Sequence, residues 1–216
     1  MADLTPDLGL HHWLMEGLLA VRAGDARRAV DDHFSKIIVI YEGRYRAVQG
    51  RFYCARTAEE ATRYMQQALA QGQKARVVEA GLSMAYYHKG RELLTLDDVA
   101  GAEASLERAR VLSPANAPIL VEMGAIYKAE HKMPQALEAY QAATAALDLA
   151  PMEERGRESR DAYDGLGGLY MAMDRLDEAE AAYRQALAAV PDDELAAMEL
   201  IYIQQQLRTQ PQPPVR

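Results

Sequence analysis

The chain has 216 residues, half of them hydrophobic but only 7% aromatic, with a formal net charge of −8. Residues 1–116 hold 15 basic and 15 acidic side chains and residues 117–216 hold 9 and 17, so the acidic excess is C-terminal and nucleic acid is not an expected partner. The single cysteine, Cys54, excludes an internal disulfide or a CxxC site, and no apolar run approaches the ~18 residues that span a bilayer.

Residues 1–9 read as a lead-in. The start, "MADLTPDLGLHHWL", lacks the basic-then-apolar order of a signal peptide, so a cytoplasmic protein is expected, or a periplasmic one if a leader has been trimmed. From residue 10 the chain repeats a sparse code. An alanine marker falls at Ala29, Ala61, Ala102, Ala136 and Ala179, at gaps of 32, 41, 34 and 43 residues. A bulky residue follows four positions on and a small one three beyond, as in Ala102, Leu106, Ala109 and in Ala179, Tyr183, Ala186. The first unit departs, with His33 in the bulky slot. Gly17, Gly90, Gly124 and Gly167 each precede their alanine by twelve residues; only the second unit lacks this glycine.

This pattern predicts five helix pairs over 10–43, 42–75, 83–116, 117–150 and 160–193, the second degenerate. Small residues let antiparallel helices approach to ~8–10 Å, and Pro114 and Pro191 end the second helices because proline lacks the amide donor. Punctuation fits: "GD" at 24–25 turns the chain, "TAEE" at 57–60 is a capping box, and Asn116 is positioned to cap a helix with Pro118 in its first turn. Extra residues within 147–160 are expected to lengthen helix ends. Residues 194–208 read as a capping helix opened by Asp192 or Asp193, and the proline-rich 209–216 as a disordered tail.

The residues carrying this code, among them Trp13, Gly17, Ala20 and Ala29, then Tyr86, Gly90, Ala102 and Pro114, then Gly124, Tyr127, Ala136 and Tyr140, then Gly167, Tyr170, Ala179 and Pro191, make the chain resemble the tetratricopeptide repeat family. The likeness covers roughly residues 10–193 and is closest to bacterial members that lend no activity. It implies an all-α solenoid of stacked antiparallel helix pairs, a superhelix with a C-terminal capping helix, acting as a protein–protein interaction scaffold.

The chemistry of the remaining motifs is weak. Five histidines show no metal-ligand spacing, so no metal and no cofactor are expected. "DGLGGLY" at 164–170 lies inside a predicted helix rather than after a strand, which suits packing better than phosphate binding. Cys54 has Arg51 and Arg56 nearby but no activating base. No catalytic residue is assigned, and the chain is not expected to be an enzyme.

Stacked pairs curve, and their first helices line the concave side. The helical phase predicts a groove presenting Arg46 and Tyr53, then Tyr87, His88 and Arg91, then Glu122 and Lys128, then Asp161 and Asp164, running from arginine- and tyrosine-rich to acidic. The leading expectation is a non-catalytic scaffold that binds a peptide or helix of a partner protein there, since Tyr and Arg are common binding hot spots. One subclass of the family clamps a C-terminal carboxylate with lysines and asparagines; those places here hold Leu14, Arg46, Tyr87, Val121 and Asp164, so that clamp is absent. The alternatives are self-assembly into a homo-oligomer through "IIVIY" at 37–41 or the C-terminal helix, and a regulator holding a small ligand in the groove.

Overall fold

The computed structural model describes residues 2–5 and 7–209; the tail predicted to be disordered lies, from residue 210 on, outside them. The chain is an α-solenoid. A short strand β1 (Ala2–Asp3) leads into helix α1 (Leu8–Arg22), which pairs with α2 (26–45). Three further pairs follow: α4 (Gly81–Thr95) with α5 (Val99–Leu112), α6 (Ala117–Ala129) with α7 (Met133–Ala145), and α8 (Arg155–Ala172) with α9 (Leu176–Ala189). Helix α10 (Glu194–Thr209) closes the stack, its Ala196 and Ile203 buried against the last pair. No helix among the described residues is long and apolar enough to cross a membrane.

Each pair turns in the same way. Gly24, Asp97, His131 and Asp174 stand five residues before their alanine marker with φ of 77°, 60°, 58° and 57°. The next N–H then returns to a carbonyl five residues back: Asp25 to Ala20, Asp98 to Leu93, Lys132 to Tyr127 and Arg175 to Tyr170, at 2.8–2.9 Å. This closes the first helix of each pair with a 6→1 bond, for which glycine, aspartate and histidine tolerate the left-handed conformation. His131 thus serves a turn. Caps come from Asp7, Asp25, Asp98 and Asp193, each accepting a backbone N–H three residues on at 2.9–3.1 Å. Asn116 holds the cap position of α6 but its side chain makes no capping bond, contrary to expectation. Extra residues before α8 give it a length of 18.

The glycines seat the bulky residue of the facing helix. A methyl group on Gly90 would lie 2.6 Å from Leu106, on Gly124 2.9 Å from the Tyr140 ring, and on Gly167 2.8 Å from Tyr183. In the first pair the occupant is not His33. Residues Ala29–Phe34 are π-helical, and the extra residue advances Phe34, five after the marker, onto Gly17, where a methyl group would lie 2.5 Å from its ring. Phe34 is fully buried, whereas His33 is only half-buried.

The expected helix pair at 42–75 is not formed. Residues Arg51–Ala55 make strand β2 and Ala75–Glu79 strand β3, joined by helix α3 (Ala58–Ala70). The strands are parallel, Tyr53 opposite Val77, and β1 adds to the far edge of β3 with Ala2 opposite Val77, giving the order β1-β3-β2. "RFYCA" and "RVVE" are aromatic and β-branched runs bounded by Gly50 and Gly72, both at positive φ. Parallel strands need a crossover, here α3. Ala61, Tyr64 and Ala68 of α3 pack on Tyr53, Ala55 and Val77 and on Ala115 and Ala146 of the solenoid. Met65, the predicted bulky residue, is 37% exposed. The first pair consequently stacks directly on α4 and α5: Ile37, Ile38 and Tyr41 share a core with Leu82, Ala85 and Tyr86. Polar ties hold the insertion down. Ser113 Oγ donates to the Cys54 carbonyl at 2.6 Å, Thr57 Oγ1 to the Leu149 carbonyl at 3.0 Å, and the Ala115 N–H to Tyr64 Oη at 3.2 Å.

Phe34→Ala should cost about 3–5 kcal/mol by urea denaturation, as emptying an aromatic core site does, while His33→Ala costs less than about 1 kcal/mol. Equal losses would mean that the π-helical register is wrong.

Candidate functional site

The first helix of every pair faces one concave groove of about 700 Å³. Helix α1 contributes Leu14, Leu18 and Arg22, α4 contributes Met84, Tyr87, His88 and Arg91, and α6 contributes Pro118, Val121 and Glu122. The far wall is Glu154 with Arg157, Glu158, Asp161 and Asp164 of α8, and Arg56 enters from the end of β2. A cavity of about 280 Å³ adjoins it through Leu14, Arg56 and Met84, at the carboxyl ends of β2 and β3. There Glu79 accepts from Tyr41 Oη and from the Gly81 N–H, and burial pushes its carboxyl upward.

Six of the nine predicted groove residues therefore meet: Tyr87, His88, Arg91, Glu122, Asp161 and Asp164. Arg46 and Tyr53 do not. Because the second unit is a β-α-β insertion, they line a different cleft beside Tyr45, Phe52 and Arg108, where Tyr53 is buried and stacked on Tyr64 with ring centroids 5.2 Å apart. Lys128 is not on the groove surface; its Nζ donates to the Gly168 carbonyl at 2.9 Å and ties α6 to α8. Sequence reasoning missed Arg22, Glu154, Arg157 and Glu158, and it noted Arg56 only as a neighbour of Cys54.

Arg56 is the most constrained charge in the molecule's groove. Its Nε and Nη2 bond Glu60 at 3.0 and 2.8 Å, its Nη1 bonds Glu158 at 2.5 Å, and its own N–H donates to Glu60 at 2.7 Å. Thr57 caps α3 through the Glu60 N–H at 3.1 Å, while Glu60 reaches back to Arg56 instead of Thr57, a shifted capping box. Burial pushes both carboxyls up, Glu158 to about 7, against the pull of Arg56.

The α4 wall is aromatic. His88 stacks on Phe34 with centroids 5.6 Å apart, and burial, helped by Arg91, lowers it to about 4, so it presents a neutral ring. Arg91 lies over the Tyr87 ring at 5.7 Å and bonds Glu122 at 2.9 Å. On α8, Arg160 bonds Asp161 at 2.6 Å and reaches Asp193 at 3.5 Å. Asp164 has no such partner: its Oδ1 is sealed from solvent without a donor. Burial, then the neighbouring Asp193 and Asp161 against Arg160, raise its carboxyl to about 6. Cys54 is fully buried and burial pushes its thiol up to about 12, too high for a thiolate at neutral pH.

Residues 160–203, covering most of α8, all of α9 and much of α10, match the family model described as the tetratricopeptide repeat. Solved structures similar in fold include PilF of Pseudomonas aeruginosa, at 12% identity over 94% of this chain and 70% of that one, with a TM-score of 0.62. MamA AMB-1 is similar at 15% identity over 94% and 85% of the two chains, with a TM-score of 0.52. The first TPR of Spaghetti (RPAP3), bound to the HSP90 peptide SRMEEVD, is similar at 21% identity over 59% of this chain and 96% of that one, with a TM-score of 0.51. No curated protein matches the sequence.

Since Asp164 titrates near 6 in the fold against an ordinary 3.8, the folded chain holds more protons than the unfolded one between those values. Stability should therefore fall as pH rises from about 4 to 6, relative to an Asp164→Asn variant that lacks this group. Thermal melts of both proteins across that window check it; parallel curves would mean that Asp164 is solvated.

Proposed function

We propose that this tetratricopeptide-repeat chain is a non-catalytic scaffold that holds a segment of another protein, extended or helical, in the groove between α1, α4, α6 and α8. The carrying observation is the groove itself: about 700 Å³, shared by the first helices of all four pairs and lined by both apolar and charged side chains. Concave sites of this size with a few convergent polar groups are where binding is expected. The first TPR of Spaghetti (RPAP3), similar in fold, is bound to an HSP90 peptide, which supports a peptide as occupant. In this reading Tyr87 and His88, packed edge to face with centroids 4.9 Å apart, form part of an apolar wall with Met84 and Val121, Arg91, Glu122, Asp161 and Asp164 supply directional contacts, and Lys128 fixes the spacing of the α6 and α8 walls.

Arg91→Glu is the discriminating substitution. The side chain is half-exposed, so folding tolerates the change, yet it sets a carboxylate opposite Glu122. Proteins captured by the wild-type chain from source extract should be lost with Arg91→Glu while the melting temperature stays within a few degrees. Retention of the same proteins would remove the groove from the argument.

A second reading rests on a separate observation. Leu195, Met198, Ile201 and Tyr202 form a stripe on α10, each 48–68% exposed, and such a stripe suits pairing with a second copy. Within "IIVIY", Ile37, Ile38 and Tyr41 are buried in the core and only Val39 and Ile40 are exposed, so α10 is the better candidate. Sedimentation should show an oligomer that Met198→Glu/Ile201→Glu converts to monomer; a wild-type chain monomeric at high concentration overturns this reading.

A further inference from the structure

The carboxylates lining the groove are not equally served. Glu122 has Arg91 at 2.9 Å, Glu158 has Arg56 at 2.5 Å, Glu154 has Arg157 at 3.5 Å, and Asp161 has Arg160 at 2.6 Å. Asp164 makes no ion pair, and its Oδ1 has neither a donor nor water access. Arg160, whose charge acts on Asp164, is turned to Asp161 and Asp193. Lys128 spends its ammonium on the Gly168 carbonyl, one turn further along α8. Glu122 and Tyr183 feel the acidic field from α6 and α9, and Asp193, at the start of α10, adds a third carboxylate whose one oxygen is committed to the Ala196 N–H.

Asp164 is half-buried: its Oδ1 is sealed, but the residue lines the groove, and a carboxylate so placed without a counter-charge is costly unless something outside the chain completes it. Asp161 and Asp164 are three residues apart on one helix, hence neighbours on its surface. The groove also carries the partly exposed apolar side chains Leu14, Leu18, Met84 and Val121, against which an extended stem can lie. The missing component is thus a set of N–H donors carrying positive charge on an apolar stem.

Resting on the reading of the groove as a peptide site, we propose that its occupant is a segment carrying an arginine or lysine, whose cationic head docks on Asp164 beside Asp161 at the α8 wall while its stem lies along the groove. Arginine fits better than lysine because its fork of donors serves two adjacent carboxylates at once. This selectivity is opposite in sign to that of a groove built from free lysines. Ionised Asp164 is the binding form, so the interaction weakens as pH falls below about 6.

The test is selection of a displayed random dodecapeptide library on the full chain, on Asp164→Asn and on Arg91→Glu, with chosen peptides then measured by fluorescence anisotropy. Wild type should enrich one position in arginine or lysine, and replacing that residue by citrulline should weaken binding at least about ten-fold, as loss of a charge-assisted contact does. Asp164→Asn should erase the preference while melting no lower than wild type, because it removes an unpaired buried charge. Peptides that bind in the groove without a cationic position overturn this proposal and leave the groove reading intact. Peptides unaffected by Arg91→Glu, or no enrichment at all, overturn both. Should Asp164→Asn misfold, Asp161→Asn on the same wall gives the second measurement, with at least a three-fold loss for the arginine peptide expected and none overturning the proposal.

Discussion

Each helix pair is organised by the same contact, a glycine on the first helix beneath a bulky side chain of the second. Gly90 takes Leu106, Gly124 takes Tyr140, Gly167 takes Tyr183 and Gly17 takes Phe34. A side chain at any of these glycines would separate the pair, since interiors packed to near-crystalline density cannot absorb even one methyl group without strain. The close approach also brings the alanine markers Ala29, Ala102, Ala136 and Ala179 to full burial. With the crossings fixed, neighbouring pairs stack and their first helices line one groove. The groove is a by-product of the glycine seats, which is why its wall residues come from positions one helical step away from them.

That constraint was readable because it is periodic. Gly, Ala, bulky, small recurs with fixed internal spacing, and turn chemistry five residues ahead of each alanine reinforces the phase. What escaped the reading was aperiodic. The Ala61–Met65–Ala68 match and the capping box at 57–60 read as the second helix of a pair over 42–75; the structure has a helix at Ala58–Ala70, but it is a crossover between strands and buries Tyr64 rather than Met65. A helix of the right length can satisfy the same small-residue pattern as a crossover between strands, and short apolar runs such as "RFYCA" and "RVVE" do not by themselves distinguish strand from helix. The same miss displaced Arg46 and Tyr53 from the predicted groove. In the first unit His33 marked a real irregularity, a residue with the wrong bulk in a strict slot. Its meaning, a π-helical insertion that advances Phe34 into that slot, lies in backbone hydrogen bonding that spacing alone does not reveal.

Charge was legible as composition and illegible as pairing. The acidic C-terminal half and the arginine-rich 43–58 stretch are plain in the sequence, but which carboxylate meets which arginine depends on contacts up to 102 residues apart, as between Arg56 and Glu158. Only the folded chain shows that arginines serve every acidic residue on the groove wall except Asp164. Local spacing predicts Arg175 with Glu178 or Arg184 with Glu180; such exposed helix pairs contribute ~0.3–0.5 kcal/mol and decide little.

The β-α-β insertion is what turns a generic curved stack into a bounded site. Without it the groove would be open between the first pair and α8; with it, Arg56 reaches from the end of β2 and is held by Glu60 within the insertion and Glu158 on the far wall. Removing one partner of a buried ionic cluster costs far more than the cluster contributes as a whole, so its strength lies in fixing position. The insertion is bound to the solenoid at three more points, at Ser113, Ala115 and Leu149, all between or at the ends of solenoid helices rather than along their faces. It therefore spans successive pairs and opposes their sliding, the softest motion of a stack whose units touch only their neighbours. With Arg56 buried between the insertion and α8, the α8 wall that carries the unpaired Asp164 is tied to the rest of the groove, and it is on this fixed wall that the proposed selectivity for a cationic side chain rests.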